Sequence, residues 1–326
     1  MIFSVAPPAS AGGLSVDVLN FSLQTSRRGG FFINLIQFMI DNILKTIGNT
    51  PMISLARYSP NKKVNIYAKL EGFNPTGSIK DRIAVFIIRE ALKTGQLKPS
   101  MELIEATSGN TGISLSAVSS IFGFKFTAVI PDDVSVERRK MIRSYGGKFI
   151  LTKSGEDVIT AKNIVRKYPG KYFFTDQFNN PSNVQANYLT LGKEIIAQVP
   201  NISHFMTGIG TSGTLVGIAK RLKEYNSKIK TIGLNPSSKT NIQGLRNLKV
   251  YKPSIFNIKN VDKIVNIKDA SADFEMMKDL AKNEGLSVGI SSGAVLRESI
   301  RLAKKLEEGI IVIIFPDRGD RYLSLL

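Results

Sequence analysis

The stretch KLEGFNPTGSIKDR, residues 69–82, decides how the rest of the chain reads. An alternating apolar run, NIYAKLE (65–71), leads into it and marks a β-strand. Gly72, Asn74, Pro75 and Gly77 then make a turn. Ile83, Phe86, Ile87 and Ala91 follow at helical spacing. Ser78 with Asp81 three residues later predicts a capping box, with Ser78 as N-cap. Lys80 then falls in the first helical turn, where the positive end of the helix dipole disfavours a cation. A solvated surface lysine gains nothing there. A lysine that works uncharged does, because a neutral amine attacks carbonyls and forms Schiff bases. Taken alone the stretch admits both readings, an ordinary helix-start lysine and a nucleophilic amine.

The same strand–turn–helix alternation continues outward. Strands are expected at ELIEAT (102–107), KFTAVIP (125–131), KFILT (148–152), YFFTDQ (172–177), HFMTGIG (204–210), KTIGLNP (230–236), KIVNI (263–267) and GIIVIIFP (309–316). Amphipathic helical patterns separate most of them, which predicts an α/β fold of mostly parallel sheets covered by helices. With 326 residues the chain has room for two domains. No apolar run approaches the roughly 18 residues that span a bilayer.

Composition excludes several chemistries. The chain has no cysteine and one histidine, so a disulfide framework, a thiolate nucleophile and a Cys/His zinc site are ruled out, and no metal is expected. His204 opens a strand-like run and reads as strand-end packing. The net charge is +18, from 44 Lys and Arg against 26 acids spread along the whole chain. No stacking aromatics interleave the densest cluster, RKMIRSYGGK (139–148), so the charge reads mostly as solvated faces rather than a nucleic-acid or membrane surface.

Three turns carry further chemistry. HFMTGIGTSGTLVGIAKRL (204–222) runs strand, Gly-rich turn, helix, with Leu215, Ile218, Ala219 and Leu222 on one face. The turn's N–H groups, the helix dipole and the hydroxyls of Thr211, Ser212 and Thr214 make an anion site that suits a phosphate. Gly208, Gly210 and Gly213 also match a dinucleotide fingerprint, but the next strand ends in Leu234, Asn235, Pro236, Ser237 without the acid that a ribose needs. TSGNTG (107–112) is a second anion-binding turn, or a tight connection that needs Gly with Thr111 as cap. In VGISSGA (288–294), Ser291 and Ser292 read by themselves as helix caps.

Together with IGNTP (47–51), PDDVSVERRKMIRSYG (131–146), DQFNNPSN (176–183) and DRGDRYLS (317–324), these motifs resemble the β-family (fold type II) of pyridoxal phosphate enzymes. Within it they look like the B-type cysteine synthases, or O-acetylserine sulfhydrylases, from about Asn42 to Ser324. The resemblance implies a tryptophan synthase β-subunit-like fold with pyridoxal 5′-phosphate on Lys80. It makes Gly210, Thr211, Ser212, Gly213 and Thr214 the phosphate cup. Asn110 binds the cofactor's 3′ oxygen, and Ser291 meets the pyridine nitrogen. Thr107, Ser108, Gly109, Thr111 and Gln177 hold the substrate carboxylate. Arg246 in QGLRN (243–247) matches a G-[IL]-R element near the site, whose fork of donors suits a phosphate or thiosulfate oxygen; a solvated loop arginine is the other reading.

The implied reaction is a β-replacement that makes L-cysteine from O-acetyl-L-serine, or O-phospho-L-serine, and sulfide or thiosulfate through an α-aminoacrylate. Cystathionine β-synthase, a serine/threonine dehydratase and a non-catalytic amino-acid- or partner-binding relative are the alternatives. The resemblance also implies a smaller inserted domain at 74–184 and a larger one from 40–73 and 185–326. It further implies a homodimer acting on small molecules, and the absence of cysteine is compatible with an expected place in the cytoplasm. Residues 1–38 fit nothing downstream and read as a disordered or non-native extension, or else a targeting peptide. The chain stops after YLSLL, where B-type relatives continue.

Overall fold

The structure, a computed structural model, describes residues 42–107, 109–237 and 242–325. The expectations for residues 1–38 and for Ser108 fall outside them. The described strands are β1 (Met52–Ser54), β2 (Val64–Leu70), β3 (Glu102–Ala106), β4 (Phe126–Pro131), β5 (Lys148–Thr152), β6 (Tyr172–Phe174), β7 (His204–Gly208), β8 (Lys230–Pro236), β9 (Lys263–Ile267) and β10 (Gly309–Phe315). The helices are α1 (Lys80–Lys93), α2 (Asn110–Ile121), α3 (Val136–Ser144), α4 (Asp157–Lys167), α5 (Pro181–Ala186), α6 (Gly192–Gln198), α7 (Gly213–Tyr225), α8 (Ala270–Glu284) and α9 (Ile290–Ala303).

The strands form two sheets, one ordered β1-β2-β10-β7-β8-β9 and one ordered β5-β4-β3-β6. Every pairing is parallel except β1 with β2. Strand β10 shows why its sequence is apolar without alternation. Ile311, Ile313 and Phe315 pack on one side with Leu280 of α8 and Val295 of α9. Val312 and Ile314 pack on the other with Ile195 of α6 and Leu215 of α7. A strand covered on both faces has no solvated side to mark with polar residues. In the smaller sheet, Phe126, Ala128 and Ile130 pack with Ile88, Ile113 and Ile142 of α1, α2 and α3. Ile104, Ala106 and Val129 pack against Ala161 of α4.

All nine expected strands are present. The tenth, β1, is three residues at a sheet edge, too short for any periodicity to mark it. β6 ends at Phe174, earlier than expected, and Asp176 turns the chain with φ +46°. His204 opens β7, with its ring 2.9 Å from the Ser203 hydroxyl, the strand-end role expected of it. No described helix is long and apolar enough to cross a membrane.

The charge is less uniformly solvated than expected, and several of the exceptions sit in residues 69–82. Lys69, Glu71, Asp81 and Arg82 are all buried. Arg82 donates to both carboxylate oxygens of Glu71, at 2.7 and 2.9 Å, and to both of Glu194 on α6, at 2.6 and 2.8 Å. Lys69 reaches Glu194 at 2.8 Å. Removing one member of such a network strands a buried charge, so β2, α1 and α6 are held in fixed relation.

Candidate active site

A cavity of about 560 Å³ opens at the carboxyl ends of both sheets, bordered by Pro131, Thr207, Pro236 and Pro316. Parallel strands point their C-terminal ends and the following helix N-termini at such a crevice. Lys80, Asn110, Thr111, Gln177, Gly210, Thr211, Ser212, Thr214, Arg246 and Ser291 all line it. Thr107, Gly109 and Gly213 belong to the same turns but do not line it themselves.

Lys80 is the first residue of α1, and the helix start is tied to the end of β10. The Ile79 N–H donates to the Pro316 carbonyl at 2.8 Å, and Ser78 bridges Asp317. The expected capping box does not form. Ile79 is the N-cap, and Asp81 accepts from the Thr76 N–H at 2.7 Å and from the Thr76 and Ser114 hydroxyls. The Thr76 donors and the Ser114 hydroxyl hold the buried carboxylate in place of the Ser78 N–H. Burial pushes the Lys80 pKa down, and the nearby Asp317 carboxylate pulls it back up. An amine so placed is biased toward its neutral, nucleophilic form.

The Asn110 turn is clamped from both sides. Asn110 donates to Asp317 Oδ2 at 2.7 Å and accepts from Arg321 Nε at 2.8 Å. Gly109 has φ +130°, and a Cβ there would stand 2.2 Å from Arg138 Cδ, so only glycine fits. Its N–H donates to the Thr107 hydroxyl at 3.0 Å. Thr111 donates to Gln177 Oε1 at 2.6 Å, and Gln177 Nε2 donates to the Ala106 carbonyl at 2.9 Å. Beneath them, Glu105 Oε2 accepts from the Gln177 N–H at 2.9 Å. Burial pushes the Glu105 carboxyl up to about 8.

The 210–214 turn runs into α7 through Ser212, a left-handed residue with φ +69°. Thr211 accepts from Asn183 Nδ2 at 2.7 Å. The Ser212 hydroxyl is buried and has no hydrogen-bond partner among the described residues. A Cβ on Gly210 would stand 2.7 Å from the Gly244 carbonyl. On α9, Gly289 is the N-cap and neither Ser291 nor Ser292 caps the helix, so the Ser291 hydroxyl stands in the cavity wall for another use.

Arg246 is no solvated loop residue. Its Nη2 pairs with Asp157 Oδ2 at 3.0 Å, and its guanidinium lies 4.5 Å from the Phe178 ring centroid. Arg138, buried on α3, donates to Gln243 and lies over the Tyr322 ring at 4.7 Å. Sequence reasoning gave no role to Asp317, Arg321, Arg138, Gln243 or Asp157. The DRGDRYLS and PDDVSVERRK motifs contain three of these five, Asp317, Arg321 and Arg138, and QGLRN contains Gln243, but nothing local shows that Asp317 and Arg321 fold onto Asn110 or Asp157 onto Arg246.

A family model described as pyridoxal-phosphate dependent enzyme matches residues 43–317. The chain belongs to that family. Cysteine synthase B of Salmonella typhimurium is 40% identical over 289 residues, covering 87% of this chain and 95% of that protein. The crystal structure of cysteine synthase from Entamoeba histolytica matches with a TM-score of 0.83 at 34% identity, over 94% of this chain and 93% of its own. That of the O-acetylserine dependent cystathionine beta-synthase from Helicobacter pylori matches with a TM-score of 0.83 at 34% identity, over 88% and 98%.

The residues fit the family's cofactor. The unpartnered Ser212 hydroxyl at a helix N-terminus is a donor awaiting an anion, as a phosphate requires. The close approach of Gly210 to Gly244 leaves backbone, not side chain, facing the cup. Lys80, its pKa lowered, supplies the amine that the cofactor's aldehyde needs.

Proposed function

We propose that this chain makes L-cysteine by β-replacement on an activated L-serine, with O-acetyl-L-serine as donor and sulfide as acceptor. One observation carries the reading. Lys80, biased toward a neutral amine, lines one cavity with a phosphate-type cup at 210–214 and a carboxylate-type turn at Asn110–Thr111.

Lys80 would hold pyridoxal 5′-phosphate, with Gly210–Thr214 on its phosphate, Asn110 on its 3′ oxygen and Ser291 on its ring nitrogen. When bound, the cofactor supplies the electron sink that acidifies the substrate's α-carbon. Lys80 takes the α-proton as general base once substrate has freed its amine, and returns it at the end of the cycle. Thr107, Ser108, Gly109, Thr111 and Gln177 hold the substrate carboxylate. The Gln177 amide is already oriented by Thr111 and Ala106, so little ordering remains to be done on binding. Arg246 borders the donor's β-substituent or the incoming sulfur species. The neutral Ser291 hydroxyl favours prompt departure of the β-substituent over a long-lived carbanion. Residues 74–184 make the smaller domain, and the protein acts as a cytoplasmic homodimer.

The absorption spectrum of the purified protein tests this. A visible cofactor band should move to longer wavelength on adding O-acetyl-L-serine and return when sulfide releases cysteine. Lys80→Ala should lose turnover entirely; an active Lys80→Ala variant, or a wild-type band that ignores the donor, would end the proposal. The Helicobacter pylori neighbour's name joins O-acetylserine to cystathionine formation. L-homocysteine is therefore the acceptor to run beside sulfide, and a preference for it would replace cysteine as product.

A further inference from the structure

The Arg246–Asp157 pair bears on donor choice, an inference that rests on the β-replacement reading. Arg246 is held on three sides. Its backbone N–H donates to the Ile209 carbonyl at 2.9 Å. Its guanidinium lies 4.5 Å from the Phe178 centroid and 5.9 Å from that of Tyr251. Its Nη2 meets Asp157 Oδ2 at 3.0 Å. The Asp157 side chain is 1% exposed against 27% for Arg246, and both residues line the cavity. A buried carboxylate needs a partner, and among the described residues Arg246 is the cation that Asp157 pairs with.

The wall at this point is thus a balanced ion pair and not a bare cation. A neutral acetyl group meets no net field from it. A phosphate dianion gains from Arg246 and loses to Asp157, which stands 3.0 Å from that guanidinium's Nη2. A lone guanidinium would select the anion; a guanidinium tied to a buried carboxylate does not.

We propose that Asp157 is a specificity-determining residue, which neutralises Arg246 and sets the cavity against donors whose β-substituent is already anionic when bound. O-acetyl-L-serine is then preferred over O-phospho-L-serine because of a counter-charge from the smaller sheet's helix α4, not because a phosphate-binding residue is missing.

The test is Asp157→Asn in the holoenzyme, which keeps an oxygen for Arg246 and removes the charge. One unit charge within a few ångströms of a bound anion, at an effective dielectric constant of about 20, is worth a factor of about ten or more. The ratio of kcat/KM for O-phospho-L-serine to that for O-acetyl-L-serine should rise at least about tenfold. Inorganic phosphate, titrated calorimetrically into the holoenzyme, should bind more tightly by a similar factor. Adding Arg246→Gln to the variant should erase both gains. Parallel loss on both donors with an unchanged ratio, unchanged phosphate affinity, or gains that survive Arg246→Gln would overturn the proposal. If wild-type protein turns over neither donor, the β-replacement reading fails, and the phosphate titration still decides whether Asp157 cancels Arg246.

Discussion

Glu105→Gln should change how stability depends on pH. Glu105 is fully buried, and its carboxyl is pushed from the ordinary 4.5 to about 8, desolvation outweighing the hydrogen bonds from Thr175 and the Gln177 N–H. The folded pKa lies above the unfolded one, so between about pH 4.5 and 8 the native protein holds a proton that the unfolded chain has released. Stability therefore falls as pH rises through that window, at about 1.4 kcal/mol per pH unit. At pH 7 the accumulated cost is about 3 kcal/mol, and it levels off above pH 8 at about 5 kcal/mol. Glutamine has the same shape, stays neutral, and can still accept from the Gln177 N–H. The difference in Tm between Glu105→Gln and wild type should grow in the variant's favour from pH 5 to pH 8, by on the order of 5 °C for a chain this long. Thermal unfolding followed by circular dichroism at a series of pH values measures it. Because all other titrating groups are common to both proteins, two parallel curves would refute the assignment of this proton to Glu105.

Two further outcomes follow from the same geometry. Gly210→Ala puts a methyl group 2.7 Å from the Gly244 carbonyl, and backbone displacement there should weaken cofactor affinity roughly tenfold or more, read by spectroscopic titration of the apoenzyme. Asp317→Asn removes the carboxylate that raises the Lys80 pKa, so the acid limb of the kcat–pH profile should shift to lower pH; a limb that stays in place would separate Asp317 from the Lys80 proton.

What could be read in the sequence was whatever depends on neighbours in the chain. The strands were legible because a parallel strand covered on both faces is apolar throughout, as β10 shows. Lys80 was legible because its place at a helix start conflicts with its charge. The capping box was misread because the Thr76 donors and the Ser114 hydroxyl compete for Asp81, and Ser114 lies 33 residues away. Asp317 meets Asn110 across 207 residues, and Asp157 meets Arg246 across 89. No local period records such pairings. Basic residues read as solvated faces include Lys69, Arg82, Arg138 and Arg321, whose burial depends on carboxylates, carbonyls and rings from elsewhere in the fold.

The position of β10 bears on the order in which the site can be built during synthesis. The strands of the smaller sheet, β3 to β6, lie within residues 102–174 and need nothing made later to pair with one another. In the larger sheet, β2 and β7 do not touch, because β10 lies between them. Until residues 309–315 leave the ribosome, β2 and β7 each present an unpaired apolar edge, the kind of surface that invites aggregation or a chaperone. The anchor for Ile79 and the Asp317 carboxylate arrive with that same strand and its exit. A nascent chain therefore carries Lys80 without the surroundings that make it reactive until β10 slots home.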